Sequence, residues 1–159
     1  MSRKCLIRLL GALWVVVFGW FPAAVSAGHP ERYVTVDGVR VHLGIIPAEK
    51  LRLDADHFGE HNLQCPPPRA RNSYHVLVAL FDASSGERIT DAEVKTRISP
   101  LGLVGPRKHL HPVSVADAVT YCNYFDLSPM ETYFIEVEIQ RRDATDVIRA
   151  TFEYKTYRE

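Results

Sequence analysis

This chain of 159 residues has no net charge: 19 lysines and arginines face 19 aspartates and glutamates. A dedicated nucleic-acid binder shows a basic excess, so the balance argues against that class and no nucleic-acid partner is expected. Catalytic signatures are missing too. The sequence has no G-x-S-x-G elbow, no phosphate-binding loop, no H-E-x-x-H and no C-x-x-C. Methionine is scarce: Met130 is the only one after Met1, which removes a methionine-rich copper site. Cysteine is limited to Cys5, Cys65 and Cys122. There is no internal repeat, no low-complexity tract and no long 3.6-residue period. What is present is 47% hydrophobic and 24% charged residues, the make-up of an ordinary globular chain.

The first segment stands apart. Arg3, Lys4 and Arg8 precede or open an uncharged run of 17 residues from Leu9 to Val25, and Val25-Ser26-Ala27 places small residues at the −3 and −1 positions. Those are the parts of a secretory signal, so residues 1–27 read as a signal peptide and residues 28–159 as one domain. The alternative is an uncleaved anchor, the only membrane contact expected; the short run and Pro22 inside it weigh against spanning. The remaining 132 residues carry 16 basic and 19 acidic groups. A domain of that size buries a real core without staples. The reading places the protein in the periplasm or outside the cell. In such an oxidising compartment Cys65 and Cys122 default to a disulfide. By the chain-entropy model it would contribute roughly 4 kcal/mol. Two free thiols, or a thiolate metal ligand, remain alternatives at this stage.

The dominant period along the domain is two. Tyr33–Val36 and Val39–Leu43 flank Asp37-Gly38, the strongest short hairpin signal, because both turn positions need positive φ. Tyr74 to Asp82 is apolar on both alternating sets and predicts a central strand covered on both faces. Ala92 to Ile98 alternates apolar with charged residues. Lys108 to Val113, Val119 to Leu127, Tyr133 to Gln140 and Ile148 to Tyr154 complete the set. Seven or eight short strands with turns every ten residues or so predict an all-β fold, an Ig-like or prealbumin-like antiparallel β-sandwich. Leu51 and Ala55, four apart, allow a short helix over 48–56. Core packing accounts for most of the late aromatic group Tyr121, Tyr124, Phe125, Tyr133 and Phe134.

Residues 54–73 break the rhythm with twenty positions and no strand pattern. Loops of that length in a compact domain carry function or are disordered. This one holds His57 and His61, four apart, and Cys65 four further on. His109 and His111 share one side of a strand. His75 opens the central strand just past the loop. His42 reads as structural. Imidazole and thiolate donors together suit copper or zinc. The candidate metal ligands are therefore His57, His61, Cys65, His109 and His111, with scattered surface histidines as the plain alternative. Cys122 sits among bulky strand residues and Cys65 beside three prolines, so neither reads as an activated nucleophile. Glu136 and Glu138 read as a solvated strand face, and no enzymatic activity is expected.

The hairpin from Val78 to Ile98 has Asp82, Gly86, Ala92 and Val94 spaced as in the small exported Ig-like sandwiches of the YtkA/FixH type, which the sequence from Tyr74 to Tyr154 resembles. That resemblance implies a periplasmic or membrane-anchored accessory role, in some members tied to copper handling. It supplies no ligand set and leaves the first hairpin and the long loop unexplained. Two readings follow. The first is an exported domain that binds or delivers copper or zinc and meets a metal-trafficking partner. The second is a metal-free module that binds another envelope protein.

Overall fold

The computed structural model describes residues 33–51, 65, 68, 70–115, 118–142 and 144–157. The expected signal peptide and most of the long loop, His57 and His61 included, lie outside the described residues.

Among the described residues eight strands form: β1 (Tyr33–Val36), β2 (Val39–Pro47), β3 (Ser73–Asp82), β4 (Ala92–Pro100), β5 (Arg107–Val115), β6 (Ala118–Asp126), β7 (Thr132–Arg141) and β8 (Val147–Lys155). Asp37 and Gly38 take φ of 47° and 76°, as the two-residue hairpin requires. Of the expected helix, a single turn at 48–51 is described. All pairings are antiparallel, in the order β1-β2-β3-β6-β5-β4-β7-β8. The all-β sandwich expectation is met.

β5 joins the two layers. Its first half, through Leu110, pairs with β4, and its second half, from His111, pairs with β6. One layer is therefore β1-β2-β3-β6 and the other β4-β7-β8, with β5 turning the corner between them. β1 also approaches β8, so the sheet nearly closes on itself.

Alternation sends one side of each strand inward. Val41, Val76, Val78, Leu80 and Phe125 of the first layer share one buried cluster with Val94, Ile98, Ile135, Val137 and Ile139 of the second. Each such side chain stabilises the fold by roughly 1.5–3 kcal/mol through burial. Tyr121 is buried with them, and its hydroxyl accepts the Ala92 N–H at 3.0 Å, tying β6 to β4. Phe125 and Tyr133 are core residues as expected, whereas Phe134 is exposed.

Candidate metal centre

The same alternation fixes what the outer face of the first layer carries. With Val76 and Val78 inward, Ser73, His75 and Leu77 point outward; with Tyr121 and Phe125 inward, Cys122 and Tyr124 do so. The register sets His75 opposite Tyr124 and Leu77 opposite Cys122. On the other flank of β6, His111 of β5 stands opposite Cys122. Partners directly opposite on one face have Cβ atoms about 4.5–5.5 Å apart.

An outer face is normally wet, yet His75 is 6% and Cys122 1% exposed. Part of the cover is Cys65, which is bonded to Cys122 as a disulfide. The two Cα atoms stand 7.1 Å apart. The Tyr124 hydroxyl donates to the Cys65 carbonyl at 2.9 Å and fixes the main chain there. Cys65, Cys122 and Val113 make a second, small buried cluster, flanked by Leu77 and Tyr124.

His75 lies against this cluster. Its ring stacks on Tyr124, with centroids 4.7 Å apart and planes at 20°. Among the described residues neither Nδ1 nor Nε2 has a hydrogen-bond partner, and the Ser73 hydroxyl on the same face also lacks one. Burial holds the His75 pKa below the ordinary 6.5. The imidazole is therefore neutral at physiological pH, with a lone pair available. One donor atom from each of Cys65, His75 and Cys122 lies within 4.8 Å of the other two.

The five residues expected from sequence fare differently. Cys65 sits against β6 and is oxidised, so it offers no thiolate in this state. His111 is exposed on the face where Cys122 lies opposite it. His109 is exposed two positions along β5, with Nδ1 3.5 Å from a Glu93 carboxylate oxygen. Lys95 binds the same oxygen at 2.8 Å and holds the Glu93 carboxyl below its usual range. His57 and His61 lie outside the described residues.

His75 and Cys122 were not among the expected ligands. The available signal was a histidine inside YHVLVALF, a run apolar on both faces, where a polar side chain needs a partner. A cleft of about 580 Å³ lies elsewhere, lined by residues that include Asp91, Glu93, Tyr121, Gln140 and Arg141. Its lining contains neither histidine nor cysteine.

No family model matches the chain, and no curated protein sequence does. Solved structures do share its fold. A DUF4426 family protein from Pseudomonas aeruginosa superposes with a TM-score of 0.58 at 15% identity, covering 81% of this chain and 99% of that one. FetP of a uropathogenic Escherichia coli strain, expressed in the periplasm, gives 0.58 at 12% identity, covering 80% and 94%. Copper-reconstituted P19 from Campylobacter jejuni gives 0.55 at 7% identity, covering 78% and 92%. At these identities the likeness is one of fold. It places the chain among β-sandwich domains of this shape and does not support the narrower resemblance to the YtkA/FixH type.

Proposed function

We propose that this protein is an exported, non-enzymatic β-sandwich that binds copper on the outer face of its first layer and passes it to a metal-trafficking partner in the cell envelope. In the oxidised protein the ligands are imidazoles: His111, and His57 and His61 from the loop, with His109 beside them. One observation carries this reading. The Cys65–Cys122 bridge pins the loop to the strand position opposite His111. His61 is four positions from Cys65 in sequence, so the proposed site asks only a short span of chain to bring an imidazole to His111. Imidazole donors suit copper and zinc alike. Two fold neighbours, FetP and P19, have copper-bound structures, which favours copper. The sequence likeness to YtkA/FixH domains supports the same compartment.

The test is a titration of the exported protein, with both cysteines oxidised, against copper(II) and zinc, followed by gel filtration and elemental analysis. One retained equivalent of copper is expected. The His57→Ala/His61→Ala variant loses it, and His111→Ala weakens it. A wild-type protein that emerges metal-free sinks the reading. The interaction-module reading then leads, on a separate observation: Leu101, Leu103 and Val104, in the loop between β4 and β5, are 64%, 68% and 85% exposed. Such contiguous apolar exposure marks contact surfaces.

A further inference from the structure

We propose that the reduced protein holds a second, soft metal site, formed by the Cys65 and Cys122 thiolates and the His75 imidazole, which takes copper(I) and which the disulfide closes. This goes beyond the imidazole reading: it uses different donors and a different redox state of the protein.

The first ground is proximity. The bridge itself holds the two sulfurs together, and an imidazole nitrogen of His75 lies within 4.8 Å of both; all three residues are buried. Donors bound to one small cation stand a few ångströms apart, since each metal–ligand bond is about 2.0–2.3 Å. The second ground is the orphaned imidazole. His75 is 94% removed from solvent, yet both of its ring nitrogens lack partners among the described residues. Buried polar atoms are almost always satisfied, and leaving one unpaired costs about 1–3 kcal/mol. A cation between the two sulfurs and the ring would partner the lone-pair nitrogen, one of the two.

The third ground is that each donor residue has a fixing contact other than the S–S bond. Cys122 lies within β6, with ladder partners on both sides at Leu77 and His111. Cys65 is held by the Tyr124 hydroxyl through its carbonyl, independently of its sulfur. His75 is set by its β-ladder and by stacking on Tyr124. Tyr124 thus positions two of the three donors.

The donor set chooses the metal. Soft thiolates select copper(I) and zinc over harder ions. Zinc prefers four ligands in tetrahedral array, whereas this buried cluster presents three. Copper(I) accepts three donors without a fourth.

The chemistry balances as follows. A dithiol reductant, such as a thioredoxin-type partner, gives two electrons and two protons to the Cys65–Cys122 bond. That bond breaks to two thiols as the reductant forms its own disulfide. Copper(I) then displaces the two thiol protons to solvent, and neutral His75 donates its lone pair with no proton change. An oxidised dithiol partner, itself a disulfide, accepts the two electrons back and leaves as the dithiol; the Cys65–Cys122 bond re-forms, both sulfur ligands are lost and copper(I) is expelled.

The experiment titrates copper(I) under anaerobic conditions into protein reduced with a phosphine, in competition with a chromogenic copper(I) chelator. Thiolate-to-copper(I) charge-transfer absorption is followed alongside. Reduced wild type should take one equivalent with the absorption band, at least about ten-fold more tightly than the oxidised protein. His75→Ala should weaken binding by roughly ten-fold or more, the scale on which single ligand-shell changes act. Cys65→Ser and Cys122→Ser should each abolish the band, with far-UV circular dichroism showing that the sheets persist. A triple alanine variant at His57, His61 and His111 should keep the band, although it fails the copper(II) test above. That arm separates this site from the imidazole one. Equal affinity in reduced and oxidised protein would overturn the proposal, as would a band unaffected by His75→Ala. Zinc binding more tightly than copper(I) would overturn the assigned metal.

Discussion

The two faces of β3 and β6 are built from the same alternation and hold opposite contents. Inward, Val76, Val78, Tyr121 and Phe125 join a large apolar cluster, and the hydroxyls of its buried tyrosines, Tyr121 and Tyr133, are both paired. Outward, Ser73, His75, Cys122 and Tyr124 are covered at least in part by Cys65, and three polar atoms there lack partners among the described residues. The inner face needs only shape and hydrophobicity, so it tolerates exchange of one aliphatic residue for another of similar volume. The outer face depends on particular atoms: two sulfurs, one imidazole and one phenol. A stability requirement explains the first face. It does not explain why an imidazole should be buried unpaired on the second.

Truncation should separate the faces most strongly. Phe125→Ala, on the inner face, is expected to cost about 3–5 kcal/mol, the range for emptying a buried aromatic site. Urea denaturation measures it. Removing the outer staple with Cys65→Ser/Cys122→Ser should cost roughly 2–4 kcal/mol, read as the difference from oxidised wild type. Chemical reduction of wild type should reproduce that loss, because both act on the same bond. One residue from Phe125, Tyr124→Phe keeps the ring and deletes only the hydroxyl that binds the Cys65 carbonyl. It should cost about 0.5–1.5 kcal/mol, the worth of one hydrogen bond. If Tyr124→Phe matched Phe125→Ala, the outer face would be a second core, and the contrast would fail.

The contrast also explains what was legible in the sequence. Strand positions followed from the period of two, because inward burial repeats at every second residue and leaves its mark along the whole chain. Asp37-Gly38 located the first hairpin for a stereochemical reason, since few other pairs accept positive φ twice. The outer cluster leaves no period. It joins Cys65, His75 and Cys122 across a β3–β6 pairing and a bridge spanning 57 positions, and neither register nor connectivity is written locally. His109 and His111 were recognised because two-residue spacing on a strand is local. His75 carries no such local mark as a ligand, because its neighbours in sequence are apolar and its partners lie in other segments. Strand order was hidden for the same reason: β5 divides its pairing between two layers, which no alternation pattern records.

The smallest expected effect belongs to neither face, and it is the control for both. At the far end of β3 the Asp82 carboxylate accepts the N–H groups of Ser84 and Ser85, each at 3.0 Å, and both of their hydroxyls. The Ser84 hydroxyl, first among these donors, holds the Asp82 pKa well below the usual carboxylate range. A group whose folded pKa is depressed stabilises the fold above its unfolded value, near 3.8, and that contribution fades as pH falls through the folded one. Asp82 is solvent-exposed, so the contribution is small. Asp82→Asn keeps an acceptor oxygen but cannot titrate. Urea midpoints followed from neutral pH down to about pH 2 should fall less steeply for Asp82→Asn than for wild type below about pH 4. The difference should be the same in oxidised and reduced protein, because the hydrogen bonds that hold the carboxylate come from Ser84 and Ser85 and involve neither Cys65 nor Cys122. Parallel curves would show that the turn does not hold the carboxylate as drawn. A difference that appeared only on reduction would mean that the outer cluster reaches the far end of β3, and the two faces could no longer be treated as independent.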